Sequence, residues 1–134
     1  MKNTRLYFLG LLFFTLITFS NTSAQSGTVQ DTIKTLIDTQ IICLNNEDVS
    51  GYMKTIHPQA EGYNMMKQVL QMTFKNFDFT TSVDSTEFVT ITDNSIVTNM
   101  TISVKTADKT NTRTISQEFR RFKGSWYFYG TALK

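Results

Sequence analysis

The residues able to perform chemistry are few, and their number excludes several kinds of site. The chain of 134 residues holds one histidine, His57, and one cysteine, Cys43. A single histidine excludes HExxH and paired-histidine metal sites, and a single cysteine excludes an internal disulfide and a cysteine-based zinc site. We therefore expect no metal site and no cofactor. Acid–base catalysis would have to combine one of the 11 Asp and Glu residues with His57 or a tyrosine.

His57 and Cys43 each have a structural explanation that we favour over a chemical one. His57 precedes Pro58 at the end of a short predicted helix, where the helix dipole favours a cation and the ring can bond the last carbonyls. The alternative is a general base or a ligand. Cys43 lies between Ile42 and Leu44 in a helical pattern, without a nearby basic residue. A small buried hydrophobe is therefore favoured over a nucleophile or an intermolecular bridge.

The charge pattern does not indicate a polyanionic partner. The 13 Lys and Arg residues against 11 acids give a formal charge of +2, which is no signature of nucleic-acid binding. Arg113, Arg120, Arg121 and Lys123 cluster late in the chain, where Glu118 partly balances them. We interpret this cluster as a solvated face or edge of a sheet rather than as an anion site.

Residues 1–24 have the pattern of a cleaved signal peptide. Lys2 and Arg5 precede an apolar run at 6–19, and a small, polar segment ends at Ala24. The run is shorter than the roughly 20 residues that span a bilayer, although an uncleaved anchor is the alternative. Cleavage after Ala24 would leave residues 25–134 as a single domain with 11 basic and 11 acidic residues. We expect export to the periplasm or the exterior, without stable membrane insertion and without a nucleic-acid partner.

The elements that must position any site are three helices followed by a meander of strands. Helical spacing predicts helices at about 29–44, 49–56 and 63–75, and from Asn76 the period changes from 3.6 to 2. Short turns at 93–94, 108–111 and 123–125 predict antiparallel neighbours. The polar residues 84–86 predict a bulge in the first strand, whose inward face is expected to consist of Phe77, Phe79, Thr81, Val83, Val89 and Ile91. The fold class is therefore α+β, with three N-terminal helices on a strongly bent antiparallel sheet of four or more strands and a cone-shaped cavity inside.

The order of elements and four short runs resemble a known family. The runs are LNNED at 44–48, VSGYM at 49–53, IHP at 56–58 and FKGSWYF at 122–128. With them the chain is similar to the NTF2-like superfamily, also called the SnoaL-like or cystatin-like α+β roll, and we identify it as an exported bacterial member. The resemblance implies a cone that holds a ligand or an active site, and in many members a pairing through the open sheet face.

The same resemblance places residues in the positions that catalyse reactions in some members. Gln40 stands where ketosteroid-isomerase-like enzymes carry a tyrosine on the first helix. Asn64, with Glu61 nearby, stands at about the position of their catalytic carboxylate. An asparagine cannot act as the base, and scytalone-dehydratase-like sites use paired histidines where this chain has only His57. No convincing base–acid pair results, and whether the chain is an enzyme stays open at this point.

Five residues are candidates for the lining of an apolar cone pocket. They are Gln40, Tyr52, His57, Tyr63 and Trp126. Core packing is the alternative for the tyrosines and for Trp126. We favour an exported, non-catalytic module that binds a small apolar or amphipathic ligand or forms a homodimer through its sheet. The alternatives are a surface-acting interaction or immunity-type protein, and an isomerase or dehydratase of the SnoaL or ketosteroid-isomerase type.

Overall fold

The computed structural model describes residues 22–131, with side chains from residue 27 onward. Helices α1 (Thr22–Asn45), α2 (Val49–Lys54) and α3 (Tyr63–Asn76) precede strands β1 (Thr80–Ile91), β2 (Ser95–Lys105), β3 (Thr110–Phe122) and β4 (Ser125–Thr131). The four strands form one antiparallel sheet in the order β1-β2-β3-β4. The predicted α+β architecture is confirmed. The predicted signal peptide lies outside the described residues except for 22–24, which begin α1.

The core lies between the helices and one face of the sheet. From α1, the side chains of Ile33 and Ile37 are buried against Ile96 of β2 and Phe119 of β3, within one apolar cluster. Every second residue of β2 from Ile96 to Ile102 is buried, as the alternation of its sequence predicts. Helix α3 covers the core less completely, since none of its residues is fully buried.

Strand β1 contains the predicted bulge, and the bulge changes which side chains face the core. The register with β2 shifts at Asp84 and again at Val89. An extra residue in one strand reverses the alternation that follows it, so Phe88 packs on the core. The expectation that Val89 points inward is therefore wrong, since its side chain is 54% exposed. The second shift returns Ile91 to the inner face opposite Ile96, where it is 40% exposed.

The segment after α2 pairs with β4 through an isolated β-bridge. Ile56 forms a parallel bridge with Phe128, whose N–H donates to the Thr55 carbonyl at 2.9 Å. The His57 N–H donates to the Phe128 carbonyl at 2.8 Å. These bonds explain why α2 ends at Lys54 rather than at the predicted Ile56. They also cover the edge of β4.

A two-residue turn fixes the hairpin of β3 and β4. Lys123 and Gly124 both have positive φ, 49° and 85°, as a type I′ turn requires. This turn holds Arg121 directly opposite Trp126, and the Arg121 N–H donates to the carbonyl of Asn94 in the β1–β2 turn at 3.0 Å. Hydrogen bonds therefore hold the backbone of β3 here on two sides, to β4 and to the β1–β2 turn.

Candidate functional site

Gln40 and Tyr52 lie where α1 meets the end of α2. The buried amide of Gln40 donates from Nε2 to Thr55 Oγ1 at 3.0 Å, and that hydroxyl donates to the Tyr52 carbonyl at 2.6 Å. Burial raises the pKa of the Tyr52 phenol, and Cys43 raises it further, so the phenol is neutral at physiological pH. Burial likewise raises the pKa of the Cys43 thiol, which disfavours the thiolate. Uncharged hydrogen-bonding groups thus connect α1 to the end of α2.

His57 lies on the opposite face of the sheet from the helices. Its neighbour Ile56 and the bridge partner Phe128 point into the core, so by alternation the imidazole points outward. There it contacts Phe122, Tyr127 and Tyr129 at ring-centroid distances of 5.1, 6.1 and 5.3 Å. These rings leave His57 only 4% exposed. His57 therefore shares no cavity with Gln40 or Tyr52, which lie on the helix side of the sheet.

The imidazole of His57 is held in its neutral form. Its Nδ1 accepts a hydrogen bond from the Gln59 N–H at 3.0 Å, which requires that nitrogen to be unprotonated. Burial lowers the pKa of His57, and the guanidinium of Arg120 lowers it further. The expected cation bonded to the last carbonyls of α2 is not what the structure contains, because the ring accepts a bond from the following turn instead.

The carboxylates are all on the outside of the described structure. All 11 Asp and Glu residues fall within residues 22–131, and ten of them are exposed. The other, Glu118, lies on the outer sheet face, where it accepts hydrogen bonds from Arg120 at 2.7 Å and from Ser95 at 2.8 Å. These bonds, that of Arg120 above all, lower the pKa of Glu118. Glu61, named above as a possible base, is among the exposed residues, and no acidic side chain of residues 27–131 enters the core.

Two interior polar atoms have no partner among the described residues. Thr98 of β2 and Gln117 of β3 stand opposite each other on the helix side of the sheet. Thr98 is fully buried, and neither its Oγ1 nor the Oε1 of Gln117 makes a hydrogen bond. Burying such groups unpaired costs stability. Sequence alternation predicted the inward position of both residues but not the missing partners.

The described residues form an open groove that lies apart from the buried core. It lies between the first half of α1 and the β3–β4 turn, and its volume is about 500 Å³. Its apolar surface comes from Val29, Leu36 and Trp126. The remainder is lined by Thr28, Thr32, Thr35, Thr39, Arg121, Gly124 and Ser125. Of the five pocket candidates, only Trp126 lines this groove; Tyr63, like Trp126, is half-buried against the core.

On the threonine side of the groove, three hydroxyl groups are already used as hydrogen-bond donors. The hydroxyls of Thr32, Thr35 and Thr39 each donate to a carbonyl one turn earlier in α1, at 2.8 to 2.9 Å. Their protons are thus engaged with the helix. Across the groove, the guanidinium of Arg121 lies 6.0 Å from the centre of the Trp126 ring. Arg121 is the one charged side chain among the described lining residues.

Sequence reasoning missed this groove because its two walls are far apart in the chain. One signal was available: threonines at 28, 32, 35 and 39 recur at helical spacing and form a stripe beside the apolar one. That signal does not say what the stripe faces. Arg121 was interpreted as a solvated charge, and nothing local in the sequence places it beside α1.

Solved structures with this fold come from several bacteria. An NTF2-like protein of unknown function from Shewanella oneidensis MR-1 is 12% identical, with a TM-score of 0.66 over 77% of this chain and 96% of that protein. An uncharacterized cystatin-like protein from Caulobacter vibrioides is 15% identical, with a TM-score of 0.65 over 78% and 89%. Bd1075 of Bdellovibrio bacteriovorus is 8% identical with a TM-score of 0.69, and the match covers 84% of this chain but 43% of Bd1075. The predicted NTF2-like fold is thereby confirmed.

The sequence itself matches one described family. No curated protein matches the chain at a significant level. A family model described as "Anti-sigma-I factor RsgI9, C-terminal domain" matches residues 35–134, which is three quarters of the chain. Among the described residues no helix combines the length and apolar character that crossing a bilayer requires. With an NTF2-like fold and a family match over most of its length, this chain belongs to the family of RsgI9 C-terminal domains.

Proposed function

We propose that this chain is an exported, non-catalytic domain that binds a small amphipathic molecule in the groove between α1 and the β3–β4 turn. The observation that carries the proposal is the composition of the groove: an apolar floor of Val29, Leu36 and Trp126 beside a polar rim. Its volume of about 500 Å³ falls within the range of about 300–1,000 Å³ that small-molecule sites occupy. The proposal moves the predicted ligand site from the interior of the cone to its end.

The alternative of an isomerase or dehydratase has less support. Such a reaction needs a carboxylate placed to move a proton next to a second acid. The ten exposed carboxylates and the Arg120-bound Glu118 offer no such pair, and His57 lies on the far face of the sheet. A binding role also fits the matching family, whose description names a regulator, an anti-sigma factor.

The alternative of a surface-acting protein rests on α3. Met65, Val69 and Met72 form an apolar stripe at i, i+4 and i+7, and Met65 and Met72 are 68% and 58% exposed. No described residue covers this stripe, and it carries no charged or polar group that would select a partner. The groove is the stronger case because it combines apolar, cationic and hydroxyl groups around one volume.

The test blocks the groove without disturbing the core. Thr35 is exposed on α1 and lines the groove, so Thr35→Phe should fill the volume while the fold stays intact. Gln71→Phe on the exposed side of α3 is the matched control. Ligand-induced thermal shifts are measured across a panel of amphiphiles and metabolites. We expect shifts in the native chain and the control but not in Thr35→Phe, and a panel without any shift would contradict the proposal.

Export and self-association are separate parts of the proposal. A fusion of residues 1–28 to alkaline phosphatase, which is active only after export, should give activity that is lost when the apolar run 6–19 is interrupted by charges. Pairing of two copies through the outer sheet face is tested by sedimentation at micromolar concentration. A single species of monomer mass would contradict the homodimer without affecting the groove.

A further inference from the structure

We infer that the groove selects an amphipathic anion, with the anionic group at Arg121 and the apolar body over Trp126. This inference rests on the proposed function and adds the chemical class of the ligand. It also changes the interpretation of Arg121, which the sequence alone placed among solvated charges.

The two consecutive arginines of β3 differ in their partners. Arg120 points to the outer face, where Glu118 binds its Nε at 2.7 Å and its guanidinium lies 3.6 Å from the centre of the Tyr129 ring. Arg121 points to the helix side beside Trp126 and has no ion-pair partner among the described residues. Glu118 thus forms an ion pair with Arg120, whereas the guanidinium of Arg121 is available to bind an anionic ligand.

The threonines at 32, 35 and 39 offer an anion no free hydroxyl proton. The hydroxyl protons of Thr32, Thr35 and Thr39 are donated to helix carbonyls, so their oxygens face the groove as acceptors. Acceptors repel an oxyanion, whereas a guanidinium presents several N–H donors in a fork that fits one. An oxyanion is therefore directed to Arg121, on the wall opposite the threonines.

The apolar part of the ligand has a defined place next to that charge. Trp126 is directly opposite Arg121 across the hairpin, and Val29 and Leu36 complete the apolar floor. The positive-φ turn at Lys123 and Gly124 and the bond from Arg121 to Asn94 hold both side chains' backbones in place before a ligand arrives. A cationic amphiphile would meet Arg121 with the same sign, and a neutral one would leave Arg121 unpaired.

The chain provides its own reporter for a test, because Trp126 is its only tryptophan. Its emission is followed while the native chain is titrated with decanoate, decyl maltoside or decyltrimethylammonium, each below its micelle concentration. We expect saturable changes with decanoate at about tenfold higher affinity than with decyltrimethylammonium, and a weakening of decanoate binding as salt is raised. Decyl phosphate, as a fourth arm, distinguishes a carboxylate from a phosphate as the preferred head group.

Two matched variants separate the charge from the rest of the groove. Arg121→Gln should weaken decanoate binding about five- to tenfold and leave decyl maltoside unchanged. Arg113→Gln removes an exposed arginine of the same strand that does not line the groove, and should change neither. Equal decanoate affinity in Arg121→Gln and the native chain, or equal affinity for the anionic and cationic probes, would overturn the anion selection while leaving ligand binding intact. An absence of saturable change with all the probes would instead overturn the proposed function.

Discussion

The side-chain amide of Asn45 binds both backbone groups of Thr81. Its Oδ1 accepts from the Thr81 N–H at 2.7 Å, and its Nδ2 donates to the Thr81 carbonyl at 2.9 Å. The last residue of α1 thereby occupies the edge of β1 as a neighbouring strand would. Because Thr81 is buried, its backbone groups would lack other partners without this amide.

Replacing Asn45 should therefore cost more stability than its position at the end of a helix suggests. Asn45→Ala leaves a buried N–H and a buried carbonyl unpaired, and we expect the free energy of unfolding to fall by about 2–3 kcal/mol. Urea denaturation measures the change. Asn46→Ala, whose side chain makes no described hydrogen bond, is the control and should cost under about 0.5 kcal/mol. Equal losses for the two variants would show that the amide contributes nothing specific.

The neighbouring side chains of Gly51, and not its backbone conformation, leave no space for a Cβ at this position. A Cβ at this position would overlap the carboxylate of Asp48, which caps α2 by accepting from the Gly51 N–H, and would lie 2.8 Å from Cys43 Sγ. Alanine normally stabilises a helix by about 1 kcal/mol relative to glycine. We expect the opposite sign here, a loss of about 1–3 kcal/mol in Gly51→Ala, measured by thermal and urea unfolding.

Gly27 is the natural control for that experiment. It lies in α1, and a Cβ there meets nothing within 4 Å. Gly27→Ala should therefore raise stability by about 0.5–1 kcal/mol. If both alanines raised stability, the close approach of Asp48 and Cys43 to Gly51 would not be rigid.

His57 makes the fold sensitive to mild acid. Well above about pH 6.5, the ordinary pKa of histidine, the imidazole is neutral in both the folded and the unfolded chain. Below that pH the unfolded chain binds the proton first, because burial and Arg120 lower the pKa of the folded state. The free energy of unfolding should thus fall as the pH drops through 6.5 toward the lower folded pKa.

Two measurements check this direction. The imidazole signals in NMR belong to one residue, since the chain has a single histidine, and they should titrate below pH 6.5 in the folded state. The melting temperature between pH 8 and pH 5.5 should fall more steeply in the native chain than in His57→Gln. A folded pKa above 6.5, or equal slopes, would contradict the neutral, amide-bonded imidazole.

Replacing Thr98 by valine should raise the free energy of unfolding. Its buried hydroxyl has no partner among the described residues, so Thr98→Val keeps the shape and removes an unpaired group. We expect a gain of about 1 kcal/mol in chemical denaturation. Thr101→Val on the outer face, where the hydroxyl bonds that of Thr114 at 3.1 Å, should give no gain. A loss of stability in Thr98→Val would mean that an ordered water or a ligand satisfies the hydroxyl.

Much of the architecture could be predicted because the patterns that specify it are local. The alternation from Ile96 to Ile102 and the tight Lys123–Gly124 turn gave the strand order, and the polar residues around Asp84 gave the bulge. The same local pattern could not give the changes of face in β1, because each inserted residue reverses the alternation up to the next one. Phe88 and Val89 were exchanged between faces for this reason.

The candidate site was predictable only in part because it depends on contacts between distant segments. His57 was expected near the pocket, but its face is decided by the pairing of Ile56 with Phe128, more than 70 residues later. Trp126, one of the five predicted pocket residues, lines the groove, whereas the position of Arg121 beside it depends on the distant helix α1. Neither the pairing of Ile56 with Phe128 nor the position of Arg121 beside α1 could be deduced from composition.

The bridge between Ile56 and Phe128 sets the order in which a nascent chain can mature. The segment after α2 leaves the ribosome well before β4. Its backbone groups therefore lack their hydrogen-bond partners until β4 is synthesised. Until β4 arrives, neither the aromatic enclosure of His57 nor the tryptophan wall of the groove exists. Both features therefore form only after β4 has been synthesised.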